Sequence, residues 1–101
     1  MANHKETDLV DARFDLPDTL TVRQQLDISN KMAFGRNDNP MVMWWEIAKS
    51  LMTNWQSEIM PDPLVVDIDT ETNREITAII LWCSSATVKW YNELGQLEKN
   101  M

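Results

Sequence analysis

Apolar side chains recur at every third or fourth position between Met41 and Ile59, and this repeat restricts the possible folds more than any other feature. Its members are Met41, Trp44, Trp45, Ala48, Leu51, Met52, Trp55 and Ile59. This spacing matches one face of an α-helix, which has about 3.6 residues per turn. Asn39-Pro40 provides a capping side chain and a proline for the first turn, and Pro61 follows the repeat. The sequence therefore predicts a helix over about 40–59.

Two more helices are predicted on either side of this one. Thr21 and Gln24 form a capping box for a helix over 22–34, which Gly35 ends. Its apolar stripe consists of Val22, Leu26, Ser29 and Met32 or Ala33. A second capping box, Thr72 with Glu75, begins a helix over 73–94. The inner stripe of that helix consists of Ile76, Ile79, Ile80, Cys83, Ala86, Trp90 and Leu94.

Residues 10–16 and 64–68 alternate apolar and polar side chains, which is typical of extended segments with one buried face. The two segments could pair with each other or with another chain. Residues 1–9 are mostly polar and are expected to form a flexible N-terminal tail. A chain of 101 residues has room for one core. The sequence thus predicts a mainly α, "all-alpha" fold: a single domain over 10–101 containing a three-helix bundle and two short extended segments.

The charge balance limits the possible partners. Nine basic residues stand against sixteen acidic ones, which gives a net charge of −7. A surface this acidic repels phosphates, so neither direct nucleic-acid binding nor membrane binding is expected. The N-terminal segment lacks the apolar run of a signal peptide, and no apolar run is long enough to span a bilayer. These features favour a cytoplasmic protein.

Residues that could carry out chemistry are few. His4 lies in the predicted tail, and Cys83 lies on the inner face of the third predicted helix. The acidic segment 67–73 resembles a calcium loop only in part, since Thr72 and Ala78 stand where an EF-hand requires Gly and Glu. One Cys with one His cannot form a zinc site, and no glycine-rich phosphate loop is present. We therefore expect no enzyme activity, no catalytic residue, no metal and no cofactor.

A partner-binding surface is the functional feature that the sequence does suggest. Adjacent residues on a helix lie about 100° apart, so Trp44 and Trp45 cannot both point fully inward. Methionine and aromatic side chains are suited to binding apolar helices. The candidates for an exposed apolar patch are Met41, Met43, Trp45, Leu81 and Trp82. A merely wide core stripe is the alternative.

The order of these segments resembles a known family. The stretch from Phe14-Asp15-Leu16-Pro17-Asp18 through Thr21-Val22-Arg23-Gln24-Gln25 is similar to the opening of small tail assembly chaperones of long-tailed bacteriophages. A Trp-rich segment from Met43-Trp44-Trp45 to Trp55 follows, then a Pro-Asp segment and an acidic turn. Ile79-Ile80-Leu81-Trp82, Asn92-Glu93-Leu94 and Glu98-Lys99-Asn100 complete the resemblance, which covers residues 14–100.

This resemblance implies a viral chaperone in the host cytoplasm that binds the long, helical tape measure protein during tail assembly. A second copy of the chain is a further possible partner. The alternative hypothesis comes from the charge: an acidic phage-encoded inhibitor or DNA mimic that blocks a host nucleic-acid-binding or defence enzyme. The two hypotheses differ in whether apolar side chains or carboxylates contact the partner.

Overall fold

A three-stranded antiparallel sheet accompanies the three helices. The computed structural model describes residues 3–35 and 39–99. In chain order its elements are β1 (Asn3–Glu6), β2 (Arg13–Leu16), α1 (Val22–Phe34), α2 (Pro40–Leu51), β3 (Thr53–Gln56) and α3 (Arg74–Lys99), with a 3₁₀ turn at Pro63–Val65. The fold is therefore α+β, and the prediction of a mainly α, all-alpha bundle is wrong.

The sheet is built around β2, which lies between β1 and β3. β2 shows the alternation expected of a half-buried strand, since Phe14 and Leu16 are fully buried while Arg13 is exposed. His4 of β1 pairs directly with Asp15. On the other side the register shifts, because Arg13 faces Gln56 but Asp15 faces Thr53. Asn54 occupies this bulge with a φ of 55°.

Both outer strands lie where the sequence predicted something else. Segment 1–9 was expected to be a tail, yet its residues Asn3–Glu6 form β1 and belong to the folded domain. β3 falls inside the helix predicted over 40–59, because α2 ends at Leu51. The spacing of Trp55 suggested the face of a helix, but Trp55 lies in β3. Its ring stacks on that of Phe14, and the two ring centroids are 6.0 Å apart.

The predicted strand over 64–68 does not form, so the two extended segments do not pair with each other. The chain there begins with the 3₁₀ turn, where the Asp62 side chain accepts a hydrogen bond from the Leu64 N–H at 3.0 Å. A second side-chain cap follows, since Asp67 accepts from the Asp69 N–H at 3.0 Å. Aspartates that satisfy nearby backbone amides favour turns over strands.

The helix starts agree better with the sequence. α1 has the predicted bounds and capping box, in which the Gln24 N–H donates to Thr21 Oγ1 at 3.1 Å. Asn39 caps α2 as predicted, accepting from the Met41 N–H at 2.9 Å. α3 begins at Arg74 under a cap from Asn73 rather than Thr72, and it continues to Lys99, past the predicted end at 94.

The core lies where α2 and α3 pack against each other and against the inner face of the sheet. The largest fully buried side chains include Trp45, Trp90 and Phe14. α1 contributes Ile28 to this core, and Met32 of its predicted stripe is partly buried against it. The other apolar members in the first two turns face solvent, since Val22 is 72% exposed and Leu26 is 62% exposed. The predicted stripe of α1 is therefore buried only at its C-terminal end.

Candidate functional site

Three of the five predicted partner-binding residues line one apolar depression between the starts of α2 and α3. They are Met41, Trp45 and Leu81, and the depression has a volume of about 180 Å³. Leu81 is 46% exposed, as an accessible patch requires. Trp45 is fully buried, so the expectation that it is exposed is wrong. Trp45 forms part of the wall of the depression, and Met41 and Leu81 form the accessible part.

The other two predicted residues lie elsewhere. Met43 packs beneath the end of α1, where a Cβ placed on Gly35 would lie 2.8 Å from Met43 Cγ. Trp82 meets Phe14 edge to face, with ring centroids 5.3 Å apart. The five candidates therefore do not form one surface.

Two further depressions adjoin the first around the N-terminal turns of α3. The second, of about 490 Å³, shares Glu71 and Ile76 with the first. The third, of about 200 Å³, shares Ile59 with the second. We call these three adjoining depressions the α3 groove. Its apolar residues are Leu9, Val10, Met41, Val42, Trp45, Ile59, Met60, Pro61, Val65, Val66, Ile68, Ile76, Ala78, Ile79, Ile80 and Leu81.

Sequence reasoning missed much of this groove. Ile76 and Ile80 were assigned to the inner stripe of their helix, and they do belong to or pack against the core, but both also line the first depression. Ile68 was assigned to a strand that does not form. Ile68 lines the first depression because the capped turns after Asp62 bring the loop across α3. The available signal was the density of Asp and Glu in segment 62–75, which marks tight turns before a helix.

The rim of the groove is acidic. Its charged residues are Asp11, Asp62, Asp67, Glu71 and Glu75, all of them exposed. Among the described residues that line the groove there is no Lys, Arg or His. An apolar floor beneath charges of a single sign forms a surface that discriminates between partners by their charge.

Several rim carboxylates are fixed by backbone amides. Asp11 accepts hydrogen bonds from the Glu58 N–H at 2.8 Å and the Ile59 N–H at 3.2 Å. Glu71 accepts from the Thr72 N–H at 3.1 Å and the Asn73 N–H at 3.2 Å. The bonds of Asp11 join the turn before β2 to the segment after β3, and those of Glu71 lie within the turn that precedes α3. These two charges therefore lie at defined places beside the apolar floor.

The buried indole of Trp45 has an unusual environment. Its Nε1 lacks a hydrogen-bond partner in the described part of the chain. The equally buried Trp90 donates from Nε1 to the Pro17 carbonyl oxygen at 2.9 Å. A buried donor without an acceptor is unfavourable, so Trp45 carries a local energetic cost within the wall of the first depression.

His4 forms part of a polar cluster on the exposed face of the sheet. Its Nδ1 lies 2.7 Å from Asp15 Oδ1 and its Nε2 lies 3.2 Å from Glu6 Oε1. Asn54 Nδ2 donates to Asp15 Oδ2 at 2.7 Å. The hydrogen bonds to Asp15 and Glu6 raise the pKa of His4, and those from Asn54 and His4 lower the pKa of Asp15. His4 was expected to lie in a flexible tail, but it links β1 to β2.

Cys83 of α3 is fully buried in the core. Burial raises the pKa of its thiol to about 12. The thiol therefore stays protonated at neutral pH and packs as a small apolar group, as the sequence predicted.

Two further properties bear on the class of site. No group of three or more His, Cys, Asp and Glu side chains within 3–35 and 39–99 is arranged to hold a metal ion. Across the same residues, no helix combines the length and the hydropathy that crossing a bilayer requires.

The chain matches no protein-family model, no curated protein and no solved structure.

Proposed function

We propose that the protein is a non-enzymatic assembly chaperone, of the phage tail type, that binds an apolar helical segment of a tape-measure-like client in the host cytoplasm. The observation that supports this most is the α3 groove, an apolar floor open to solvent that includes Met41 and Leu81. The resemblance of residues 14–100 to tail assembly chaperones supports the same function.

The dimensions of the groove suit a helix that inserts side chains into it. In another protein an apolar cavity of about 150 Å³ accommodates a benzene ring, so the first depression can receive one large apolar side chain. The adjoining second depression provides room for the next side chain on the same helix face, at i+3 or i+4. Met41 has a flexible thioether side chain that can adapt to different apolar groups.

Affinity capture of tagged protein from infected cells, with identification by mass spectrometry, tests this function. We expect capture of a long helical protein that survives high salt, because apolar contacts are not screened. Leu81→Asp places a charge in the first depression and should abolish the capture. Leu26→Asp is the matched control, since Leu26 is an exposed leucine on α1, outside the groove.

The result also decides whether the α3 groove or the α1 stripe binds the client, and whether the protein is a chaperone or an inhibitor. If Leu26→Asp abolishes capture and Leu81→Asp does not, the α1 stripe binds the client and the proposed site is wrong. If the captured protein is a basic nuclease or another nucleic-acid-binding protein that dissociates as salt rises, the inhibitor hypothesis replaces the chaperone. The acidic rim also suits that alternative, in which the carboxylates and not the apolar floor would make the main contacts with the partner.

A further inference from the structure

The charge of the α3 groove narrows the chemistry of its partner. We infer that the segment bound there is a basic amphipathic helix, with apolar side chains facing the groove and Lys or Arg beside them. This inference rests on the proposed function. The three carboxylates beside the first and second depressions, those of Asp62, Asp67 and Glu71, and the absence of basic residues from the described lining carry this inference.

The acidic side chains lie close to the apolar floor of the first two depressions. Glu71 lines both the first and second depressions, so it stands beside any apolar side chain that occupies either one. Asp62 and Asp67 line the second depression, and Glu75 and Asp11 line the third. A helix lying over the first and second depressions therefore has the carboxylates of Asp62, Asp67 and Glu71 within reach of its flanking positions, where the long stems of Lys and Arg extend. The third depression lies on the other side of α3, because its α3 residues project from the face opposite to those that line the first depression.

Other occupants fit this surface less well. A second copy of the chain brings another net charge of −7 to an acidic rim, and like charges repel. An acidic helix meets the same repulsion. A neutral apolar helix would fill the floor but would leave these carboxylates without a counter-charge. A basic helix gains the same apolar contacts together with favourable charge pairs.

Three labelled synthetic peptides of about 18 residues test the inference. All carry leucines at i, i+3, i+4 and i+7, and their polar positions are Lys in one, Gln in the second and Glu in the third. Binding is measured by fluorescence anisotropy at low and high salt. We expect the Lys peptide to bind most tightly and the Glu peptide least, with the difference decreasing as salt screens the charges.

A variant of a rim residue distinguishes attraction by the carboxylates of the groove from attraction by the net charge of the whole protein. Glu71→Gln should weaken binding of the Lys peptide by about two- to fivefold and leave binding of the Gln peptide unchanged. Glutamine keeps an oxygen that can accept the amide hydrogen bonds of Glu71. Glu93→Gln is the control, because it removes one charge near the other end of α3. Near-ultraviolet circular dichroism of the tryptophans checks that each variant folds.

The outcomes distinguish the inference from the proposed function. If the Lys and Gln peptides bind equally and Leu81→Asp weakens both, the groove binds apolar helices but the charge inference is wrong. If the Lys peptide binds best but Glu93→Gln weakens its binding as much as Glu71→Gln does, the attraction comes from the overall charge and the inference is again wrong. If no peptide binds, or if Leu81→Asp changes nothing, the proposed function of the groove fails.

Discussion

Trp45 and Trp90 are buried to the same extent, yet only Trp90 has an acceptor for its indole N–H. Phenylalanine at either position removes the N–H and part of the ring. Trp90→Phe also breaks the bond to Pro17, whereas Trp45→Phe removes a donor that has no partner. We expect Trp90→Phe to lower the free energy of unfolding by about 1–3 kcal/mol more than Trp45→Phe does. Urea denaturation of both variants measures the difference, and an equal loss would show that Trp45 Nε1 is satisfied in solution.

The contact between His4 and Asp15 makes the sheet sensitive to pH. The pKa of His4 is raised above 6.5, so its stabilising contribution is complete below pH 6.5 and is lost as the pH rises through the raised pKa. The pKa of Asp15 is lowered below 3.8, so its contribution is complete above pH 3.8 and is lost as the pH falls through the lowered pKa. Both contributions are present between these two values.

His4→Gln should therefore lower the free energy of unfolding more at about pH 5 than at about pH 8. Chemical denaturation at the two pH values measures this, and Lys5→Gln, at the next position of β1, is the control. The loss of stability by the His4 variant would be the same at both pH values if β1 did not pair with β2 in solution.

At the scale of elements, the close approach of α1 to α2 depends on Gly35. A Cβ there would lie 2.8 Å from the Lys31 carbonyl oxygen and 2.8 Å from Met43 Cγ. The methionine can move, but the carbonyl belongs to the last turn of α1 and accepts from the Gly35 N–H at 2.8 Å. Gly35→Ala should therefore destabilise the protein by about 1–3 kcal/mol.

Thermal or urea unfolding tests this effect, with Ser29→Ala on the exposed face of α1 as control. A neutral or stabilising Gly35→Ala would show that α1 does not pack against Met43 as described.

An element can be predicted from sequence when the residues that specify it are close together in the chain. The bounds of α1 were predictable because Thr21 and Gln24, three positions apart, complete its cap. β3 was not predictable in the same way, since it forms by pairing with β2 about forty residues earlier. The spacing of Met52, Trp55 and Ile59 fits a helix equally well, and only the stacking of Trp55 on Phe14 reveals its role.

The same distinction applies to the α3 groove. Met41 and Leu81 were found from sequence because outward apolar residues on a helix can be read from its periodicity. Ile68 and the exposed Glu71 join them only through the folding of the loop before α3. Orientation was the weakest inference, as Trp45 and the α1 stripe show. Both have the correct helical spacing, but tertiary packing decides which face is buried.

At the scale of the whole molecule, the apolar surface and the negative charge are not spread evenly. The α3 groove combines an open apolar floor with an acidic rim, whereas the exposed stripe of α1 is bordered by the ion pair of Arg23 and Asp27, whose Nε and Oδ1 atoms lie 3.4 Å apart. The two surfaces would therefore favour different partners. The central claim is that the groove, and not the α1 stripe, binds an apolar helix.

Hydrogen-exchange mass spectrometry with and without the Leu/Lys peptide tests this claim most directly. We predict slower amide exchange on peptide binding in segments 59–72 and 74–82, which form the loop and the first turns of α3. Segment 22–34 should exchange at the same rate with and without the peptide. Protection confined to segment 22–34, or to the outer strands β1 and β3, would contradict the claim.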